Sequence, residues 1–427
     1  MKITDLIVTP IAFTDPPLLN AAGLHAPWAL RIIVEIITDD KISGIGEIAG
    51  GSAVLDSLEK ARGMIRGMNP FERNKIRMAI EKGFGAIGDS LNTGYAPKTV
   101  ATRMFSALDV ALYDIIGKAT GRPVVDLLGG RVRDRVDFSA YLFYKYEGAG
   151  GDFGSGHDPA ATGWHRAKEA AAIDPQGIVE QARAMCDEFG FKSLKLKGGV
   201  FAPEVEVATL FALREAFGDK VPLRIDPNAV WSLDTSIEWG KKMEGLIEYY
   251  EDPCKGQENM AALRKAVTVP LATNMCTTSF SELPAAVRLG SEDIILSDHH
   301  FWGGLDATMQ LGKLCATFGR KLSMHSNSHV GISLTAMAHL GCALPELGFA
   351  MDTHYPWQRE EVIKGGRIAF KDGTLGVSDE PGLGIELDRV AMERLHQNYL
   401  RCGIRDRDDA FEMRKVKPDW KFSNNAW

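Results

Sequence analysis

The sequence predicts an α/β barrel that follows a smaller α+β domain. Between residues 194 and 352, apolar runs of strand length alternate with segments that have the length and apolar periodicity of helices. A polar residue ends each apolar run, and these residues recur every 23 to 29 positions. That spacing is typical of strand–helix units, whereas the first 130 residues show a strand hairpin followed by helices.

One strand of the predicted barrel carries two lysines. Lys195 and Lys197 lie two positions apart in the run SLKLKGG, so on a strand both ammonium groups point to the same face. Alone, this pattern also fits a solvated face with two exposed lysines. The later strands favour a functional face, because each of them also ends in a polar residue. The strand-end residues, in chain order, are Lys197, Asp226, Glu251, Asn274, Asp298, His325 and Asp352.

Helical segments between these strands supply the outer layer of the barrel. Residues 203–217 begin with a proline, which suits a first helical turn, and carry an apolar stripe. Ser232 is expected to cap a helix that runs to residue 243. Functional groups in such barrels collect at the carboxyl ends of the strands. We therefore expect the strand-end residues to share one mouth.

The N-terminal region follows a different pattern. It predicts strands over 3–13, 30–37 and 42–48, the last two forming a hairpin. Residues 19–27 form a loop that is too long for a hairpin turn, and a helix is predicted over 99–118. We expect loops of this domain to cap the barrel mouth.

The segment 145–165 is rich in glycine, alanine and aspartate and has no apolar periodicity. A stretch of this length without a periodic pattern is typical of a binding loop or lid.

Composition excludes several classes of protein. A chain of 427 residues with 45% hydrophobic and 25% charged residues is typical of a soluble globular protein with two domains. The net charge of -7 offers no basic surface for nucleic acid, and no apolar run has the length of a membrane span. The six cysteines have no paired spacing, which argues against a zinc site or disulfides and predicts a cytoplasmic protein.

Three of the strand-end residues predict a cation site. Asp226, Glu251 and Asn274 close successive strands and offer oxygen ligands without sulfur or imidazole, which suits Mg²⁺. Alternatively, Asp226 makes only the turn after its strand and Glu251 caps a helix. The position of all three on neighbouring strands favours the metal site.

Two further strand-end residues suggest acid–base chemistry. Asp298 could accept one ring N–H of His325 and leave the other nitrogen as a base. A hydrogen-bonded core or surface histidine is the alternative. Lys197 would then lie across the mouth from His325. Two bases that face a bound substrate suit removal of a proton next to a carboxylate.

Together these motifs resemble the enolase superfamily, mandelate racemase type, and specifically its glucarate dehydratase group. The motifs that carry the resemblance are Lys195-x-Lys197, Asp226-Pro-Asn228, Glu251-Asp252-Pro253, Asn274, Asp298 and His325-Ser326-Asn327. The resemblance implies a (β/α)7β modified TIM barrel over residues 133–372. It also implies an α+β capping domain over 1–132, which a C-terminal segment, 373–427, completes.

The resemblance also implies roles for individual residues. Asp226, Glu251 and Asn274 would bind Mg²⁺, with Glu258 as a rival for the second ligand. Lys197 and the His325–Asp298 pair would be opposed bases, and Lys195 and Asn327 would assist catalysis. The residues that would hold the substrate are Asn20, His25, Thr93, Tyr141, Phe143, Lys195, Asn228, Ser326, Asn327, His354 and Arg407. Two local alternatives stay open, namely that Tyr141 belongs to the core and that Arg407 only pairs with Asp408 or Asp409.

The reaction that the resemblance implies is Mg²⁺-dependent dehydration of an acid sugar. D-glucarate, L-idarate or both would lose water to give a keto-deoxy aldarate. A racemase, epimerase or cycloisomerase of the same superfamily, and a weakly active or inert paralogue, are the alternatives. Ala229-Val230 stands where the family usually has Gly-Ala, so other aldarates remain open. A homo-oligomer is also expected by resemblance.

Overall fold

The computed structural model describes residues 1–88, 99–151, 160–424 and 426–427. The strands are β1 Ile3–Thr14, β2 Leu19–Asn20, β3 Gly23–Leu24, β4 Trp28–Thr38, β5 Ser43–Ala49, β6 Arg135–Phe143, β7 Leu194–Lys197, β8 Leu223–Asp226, β9 Tyr249–Glu251, β10 Leu271–Thr273, β11 Ile294–Ser297, β12 Lys321–Met324, β13 Met351–Thr353 and β14 Thr374–Gly376. The helices are α1 Ser52–Ile65, α2 Arg73–Phe84, α3 Val100–Thr120, α4 Val124–Leu127, α5 Gly163–Glu169, α6 Pro175–Phe189, α7 Pro203–Phe217, α8 Leu233–Lys242, α9 Gln257–Ala266, α10 Leu283–Leu289, α11 His299–Trp302, α12 Leu305–Thr317, α13 Gly331–Ala343, α14 Arg389–Cys402 and α15 Asp409–Val416, with a 3-10 helix over Tyr355–Trp357.

Parallel strands form the predicted barrel. β6 to β12 pair in chain order, and β13 pairs with β6 on its other side. The ring closes where the backbone N–H of Gly348 donates to the carbonyl oxygen of Leu322 at 3.0 Å. The (β/α)7β barrel is therefore confirmed. One detail differs from the pattern. The apolar run covers residues 348–351, but β13 begins only at Met351, so Asp352 lies inside the strand and not at its end.

The helices around the barrel follow the local signals in the sequence. α7 covers the predicted range and begins at Pro203. α8 begins after Ser232, whose hydroxyl accepts a hydrogen bond from the backbone N–H of Thr235 at 3.2 Å. These helices pack their apolar faces on the strands, so the strand ends are held at fixed positions around the mouth.

The N-terminal domain is an antiparallel sheet, β1-β4-β5, covered by α1 to α3. Gly44 and Gly46 on β5 allow α3 to lie directly on the sheet. A Cβ at these positions would come within 2.0 Å and 2.1 Å of the carbonyl oxygens of Ala111 and Ala107. The predicted hairpin and helix are thus confirmed, and the close sheet–helix contact explains the two glycines.

The C-terminal segment lies against this N-terminal domain. Both Oε atoms of Glu35 on β4 accept hydrogen bonds from Arg389 at 2.5 Å. A ring nitrogen of His396 lies 2.7 Å from the carbonyl oxygen of Pro10. The limits at residues 132 and 372 remain predictions.

Two predicted loops contain regular structure. Residues 19–27 include the short hairpin of β2 and β3. The segment 145–165 reaches into α5, where the buried indole of Trp164 donates to the carbonyl oxygen of Pro356 at 3.1 Å. Lys168 of the same helix donates to the carbonyl oxygen of Gln358 at 3.2 Å, so tertiary contacts hold this helix although its sequence has no apolar periodicity. Residues 152–159 of the segment lie outside the described residues.

Within the described ranges, no helix combines the length and the apolar character that a membrane crossing requires. All six cysteines fall in these ranges and are free thiols.

Candidate active site

A buried lysine stands at the centre of the barrel floor. Lys195 Nζ lies 2.5 Å from an Oε of Glu251 and 2.6 Å from an Oδ of Asp352, and all three side chains are buried. Burial alone would lower the pKa of Lys195, but the two carboxylates outweigh it and raise the pKa well above the usual value. The raised pKa favours the ammonium form of Lys195, which lies between the carboxylates of two other strands.

Lys197 contacts the neighbouring strand in the same way. Its Nζ lies 2.5 Å from an Oδ of Asp226, the residue paired with it in the β7–β8 register, and also donates to Oδ1 of Asn228. Burial would raise the pKa of Asp226, but Lys197 and Lys195 outweigh it and lower the pKa. The Lys197 side chain keeps an 11% exposed fraction on the cavity above, so it can meet a ligand there.

The three predicted metal ligands lie on consecutive strands. The side-chain amide of Asn274 donates to Oε1 of Glu251 at 2.7 Å. The backbone N–H of Asn274 donates to Oδ2 of Asp252 at 2.8 Å. Burial raises the pKa of Glu251 well above its usual value, Lys195 opposes this rise, and Asp226 adds to it. A cation would relieve the repulsion between these buried carboxylates.

The donor set of two carboxylates and one amide oxygen fits Mg²⁺, provided that the Asn274 amide turns its oxygen inward. Glu258, the rival ligand, is exposed in the first turn of α9. The assignment of ligands stays a prediction.

The predicted histidine–aspartate pair is present. His325 Nδ1 lies 3.1 Å from Asp298 Oδ2, and His300 Nδ1 lies 2.8 Å from the other carboxylate oxygen. Burial would raise the pKa of Asp298, but the two imidazoles outweigh it and hold the pKa well below the usual value. Since Nδ1 of His325 is held by an ionised carboxylate, its Nε2 is left for a ligand in the cavity that His325 lines.

A cavity of about 380 Å³ lies between the barrel mouth, the N-terminal loops and the C-terminal segment. Most of the predicted substrate residues line it, namely Asn20, His25, Tyr141, Phe143, Asn228, Ser326, Asn327, His354 and Arg407. Lys195 lies beneath this lining, where its ammonium is 4.6 Å from the centre of the Tyr141 ring. Tyr141 is therefore both part of the core and a wall of the cavity. Thr93 lies outside the described residues.

Four polar residues form a cluster at the edge of the cavity, here named the rim cluster: Asn20, His25, Arg407 and Asp409. Asn20 donates to Asp409 Oδ2 at 2.7 Å, and Arg407 Nε donates to Asp409 Oδ1 at 2.7 Å. A guanidinium nitrogen of Arg407 also lies 2.9 Å from His25 Nε2. Arg407 thus pairs with Asp409, as the alternative expected, and lines the cavity as well.

The loop after β8 carries backbone strain. Asn228 and Ala229 have φ of 60° and 56°, in the left-handed region that favours glycine. This conformation costs an alanine about 1 kcal/mol relative to glycine. Asn228, in the same strained turn, accepts a hydrogen bond from Lys197 through its Oδ1.

Sequence reasoning did not assign a role to several residues that hold the site. Asp352 was identified as a strand-end residue without a role, and His300 lies two positions after Asp298, so both had a signal in the sequence. Asp15, whose Oδ2 lies 2.9 Å from His25 Nδ1, holds that ring from ten positions earlier. Arg31 contacts Asn327 across 296 positions, and nothing local in the sequence pairs it with the barrel.

Comparison with known proteins agrees with this geometry. Residues 15–129 match the family described as mandelate racemase / muconate lactonizing enzyme, N-terminal domain, and residues 177–391 match enolase C-terminal domain-like. A "probable glucarate dehydratase" of Streptomyces coelicolor is 43% identical over 98% of this chain and 97% of its own length.

Two solved structures are similar over the whole chain. An enolase from Thermobispora bispora, complexed with magnesium and formate, gives a TM-score of 0.93 at 47% identity and 100% coverage of both chains. An enolase from Pseudomonas fluorescens, with bound magnesium, potassium and tartrate, gives a TM-score of 0.93 at 46% identity and covers 100% of this chain and 99% of its own.

Proposed function

Since the chain belongs to the mandelate racemase / muconate lactonizing enzyme family of the enolase superfamily, we propose that it dehydrates an aldaric acid, with D-glucarate and L-idarate as the first substrates to test. One observation carries the proposal: Lys197 and the Asp298-bound His325 line the same cavity from separate strands, β7 and β12. A substrate held between them would present its α-proton to one base or the other.

The charges around the cavity suit a molecule with a carboxylate at each end. Lys195 and Lys197 place positive charge at the floor, and Arg407 places it at the rim. Polar side chains such as Asn228 and Asn327 lie between these ends and can bind hydroxyl groups. The tartrate-bound relative from Pseudomonas fluorescens supports a hydroxylated dicarboxylate as the ligand class.

The chain's own residues supply the acid–base steps. His325 takes the proton α to one carboxylate and, once protonated, returns a proton to the departing β-hydroxyl, so that water leaves. Lys195 and Asn228 stabilise the negative charge that develops on the carboxylate. The resulting enol takes up a proton at carbon and becomes a 2-keto acid. Mg²⁺ held by Asp226, Glu251 and Asn274 would add positive charge near that carboxylate.

Epimerisation at the α carbon is the second candidate, and the two opposed bases favour it. If Lys197 removes the proton from one face and His325 delivers one to the other, the configuration inverts without loss of water.

A substrate screen tests both reactions. Purified protein with Mg²⁺ is incubated with a panel of aldaric and aldonic acids, and 2-keto product is detected with semicarbazide. We expect signal on glucarate or idarate that EDTA abolishes. Deuterium exchange at the α carbon in D₂O without keto acid would establish the epimerase in place of the dehydratase. Silence in both assays across the panel would contradict the proposal.

A further inference from the structure

A buried network joins the N-terminal domain to the Asp298–His325 pair. Arg31 on β4 is 1% exposed, and its Nε donates to Glu47 Oε1 on β5 at 2.6 Å. Its terminal nitrogens reach the barrel, where Nη1 donates to Asn327 Oδ1 at 2.9 Å and Nη2 lies 3.3 Å from His300 Nε2. The hairpin of the N-terminal domain thus contacts the groups that surround the catalytic pair.

The partners of Arg31 fix the direction of each hydrogen bond. Arginine can only donate, so Asn327 must present its oxygen to Arg31 and its amide nitrogen to Asp298 Oδ2, which lies 3.3 Å away. His300 Nε2 lies between Arg31 and the hydroxyl of Ser333, at 2.9 Å from the latter, and therefore accepts. The ring proton of His300 is then on Nδ1, from which it donates to Asp298.

Asp298 consequently accepts four hydrogen bonds. Besides His325, its donors are the ring and the backbone N–H of His300 and the amide of Asn327. Each extra donor shares the negative charge of the carboxylate, so less of it acts on the proton of His325.

We propose that Arg31 and His300 are positioning residues which, through Asp298, fix the ring of His325 and keep it able to release the proton that it takes from substrate. This inference rests on the proposed function. The other titratable groups near His325 are His354 after β13 and Lys197, which lines the same cavity. His329, before α13, interacts with Glu47, Arg31 and His300. The negative charge of Glu47 is neutralised by its ion pair with Arg31.

The test measures the titration of His325 directly. Protein labelled at its histidines is titrated by NMR, and His325 is assigned by the loss of its signal in His325→Gln. His300→Leu removes one hydrogen-bond donor to Asp298 and the acceptor that holds Arg31, so the midpoint of the His325 titration rises by about one pH unit. In the pH profile of kcat/KM, the midpoint of the acid limb moves to higher pH by the same amount. His300→Asn keeps an N–H near the position of Nδ1 and restores most of the wild-type midpoint.

Arg31→Lys provides a second variant that keeps the buried charge opposite Glu47. A lysine cannot hold both Asn327 and His300, so the midpoint rises in the same direction by a smaller amount. If His300→Leu fails to fold, Arg31→Lys carries the test alone.

Two control variants separate positioning from structure. His339 and Arg320 are buried in the barrel but bond to the backbone and to Glu292, away from Asp298. His339→Gln and Arg320→Lys are expected to lower stability and leave the His325 midpoint unchanged. An unchanged midpoint in His300→Leu and Arg31→Lys, or an equal shift in the controls, would overturn the inference. The NMR midpoint needs no turnover, so failure of the dehydratase assay would contradict the proposed function separately.

Discussion

Lys197, at a strand end of the barrel, and the rim cluster both line the cavity and both contain paired polar groups, yet the pairs arise differently. Lys197 and Asp226 are partners in the β7–β8 register, so strand pairing alone brings them together. Asn20 and Asp409 lie 389 positions apart and meet only because the C-terminal segment docks on the N-terminal domain. In the proposed function, the barrel supplies the acid–base residues, while contacts between distant segments supply the residues that would bind the far end of the substrate.

The largest effect is expected from the barrel side. His325→Ala removes the proposed base and acid, so dehydration of glucarate should fall by about 10⁴-fold. Lys197 remains, and exchange of the α-deuterium of the epimeric substrate should persist. Keto-acid assays and NMR exchange measure the two rates. Full dehydratase activity in this variant would show that His325 has been wrongly assigned.

A second barrel variant tests the buried charges without an activity assay. Lys195→Met leaves Glu251 and Asp352 buried without their cation, which should lower the free energy of unfolding by about 3–5 kcal/mol. Urea unfolding measures this loss. The exposed Lys242, paired with Glu238 at 2.8 Å, is the control, and Lys242→Met should cost less than about 0.5 kcal/mol. Equal losses in the two variants would contradict the buried-pair interpretation.

The smallest effect is expected at the rim cluster. Asp409→Asn removes the charge that orients Arg407, so KM for the aldarate should rise about tenfold, equivalent to about 1.4 kcal/mol, with kcat nearly unchanged. Steady-state kinetics separate the two constants. Asp408→Asn makes the same charge change in an exposed helix cap and should leave KM alone. A large fall in kcat for Asp409→Asn would show that the rim cluster takes part in catalysis and not only in substrate binding, which would contradict this interpretation.

The difference between contacts made by strand pairing and contacts made by distant segments also explains what could be predicted from the sequence. Strand-end residues were identified because a parallel barrel fixes their place once the spacing of its strands is known. The pairing of His325 with Asp298 followed from neighbouring strands in the same way. Asp352 was placed one strand position wrongly, since the apolar run begins before the hydrogen-bonded strand does.

Contacts between the N-terminal domain, the barrel and the C-terminal segment could not be predicted from strand order in this way. The contact of Arg31 with Asn327 spans 296 positions and depends on how the hairpin settles on the barrel. Likewise, α5 could not be predicted because its glycine-rich surroundings lack periodicity and a buried tryptophan holds it. The substrate-binding residues were predicted only by resemblance, because tertiary contacts decide which side chains meet in the cavity, and their assignment stays a prediction.

The rim cluster also has a consequence for synthesis of the protein. The last strand of the barrel, β13, ends at Thr353, while Arg407 of the rim cluster follows 54 positions later. At ordinary elongation rates that gap lasts on the order of 3 to 10 seconds. During that interval all barrel strands have been synthesised while the rim cluster is still incomplete. A ribosome-bound chain can therefore bring the proposed bases, Lys197 and His325, together before the rim cluster exists.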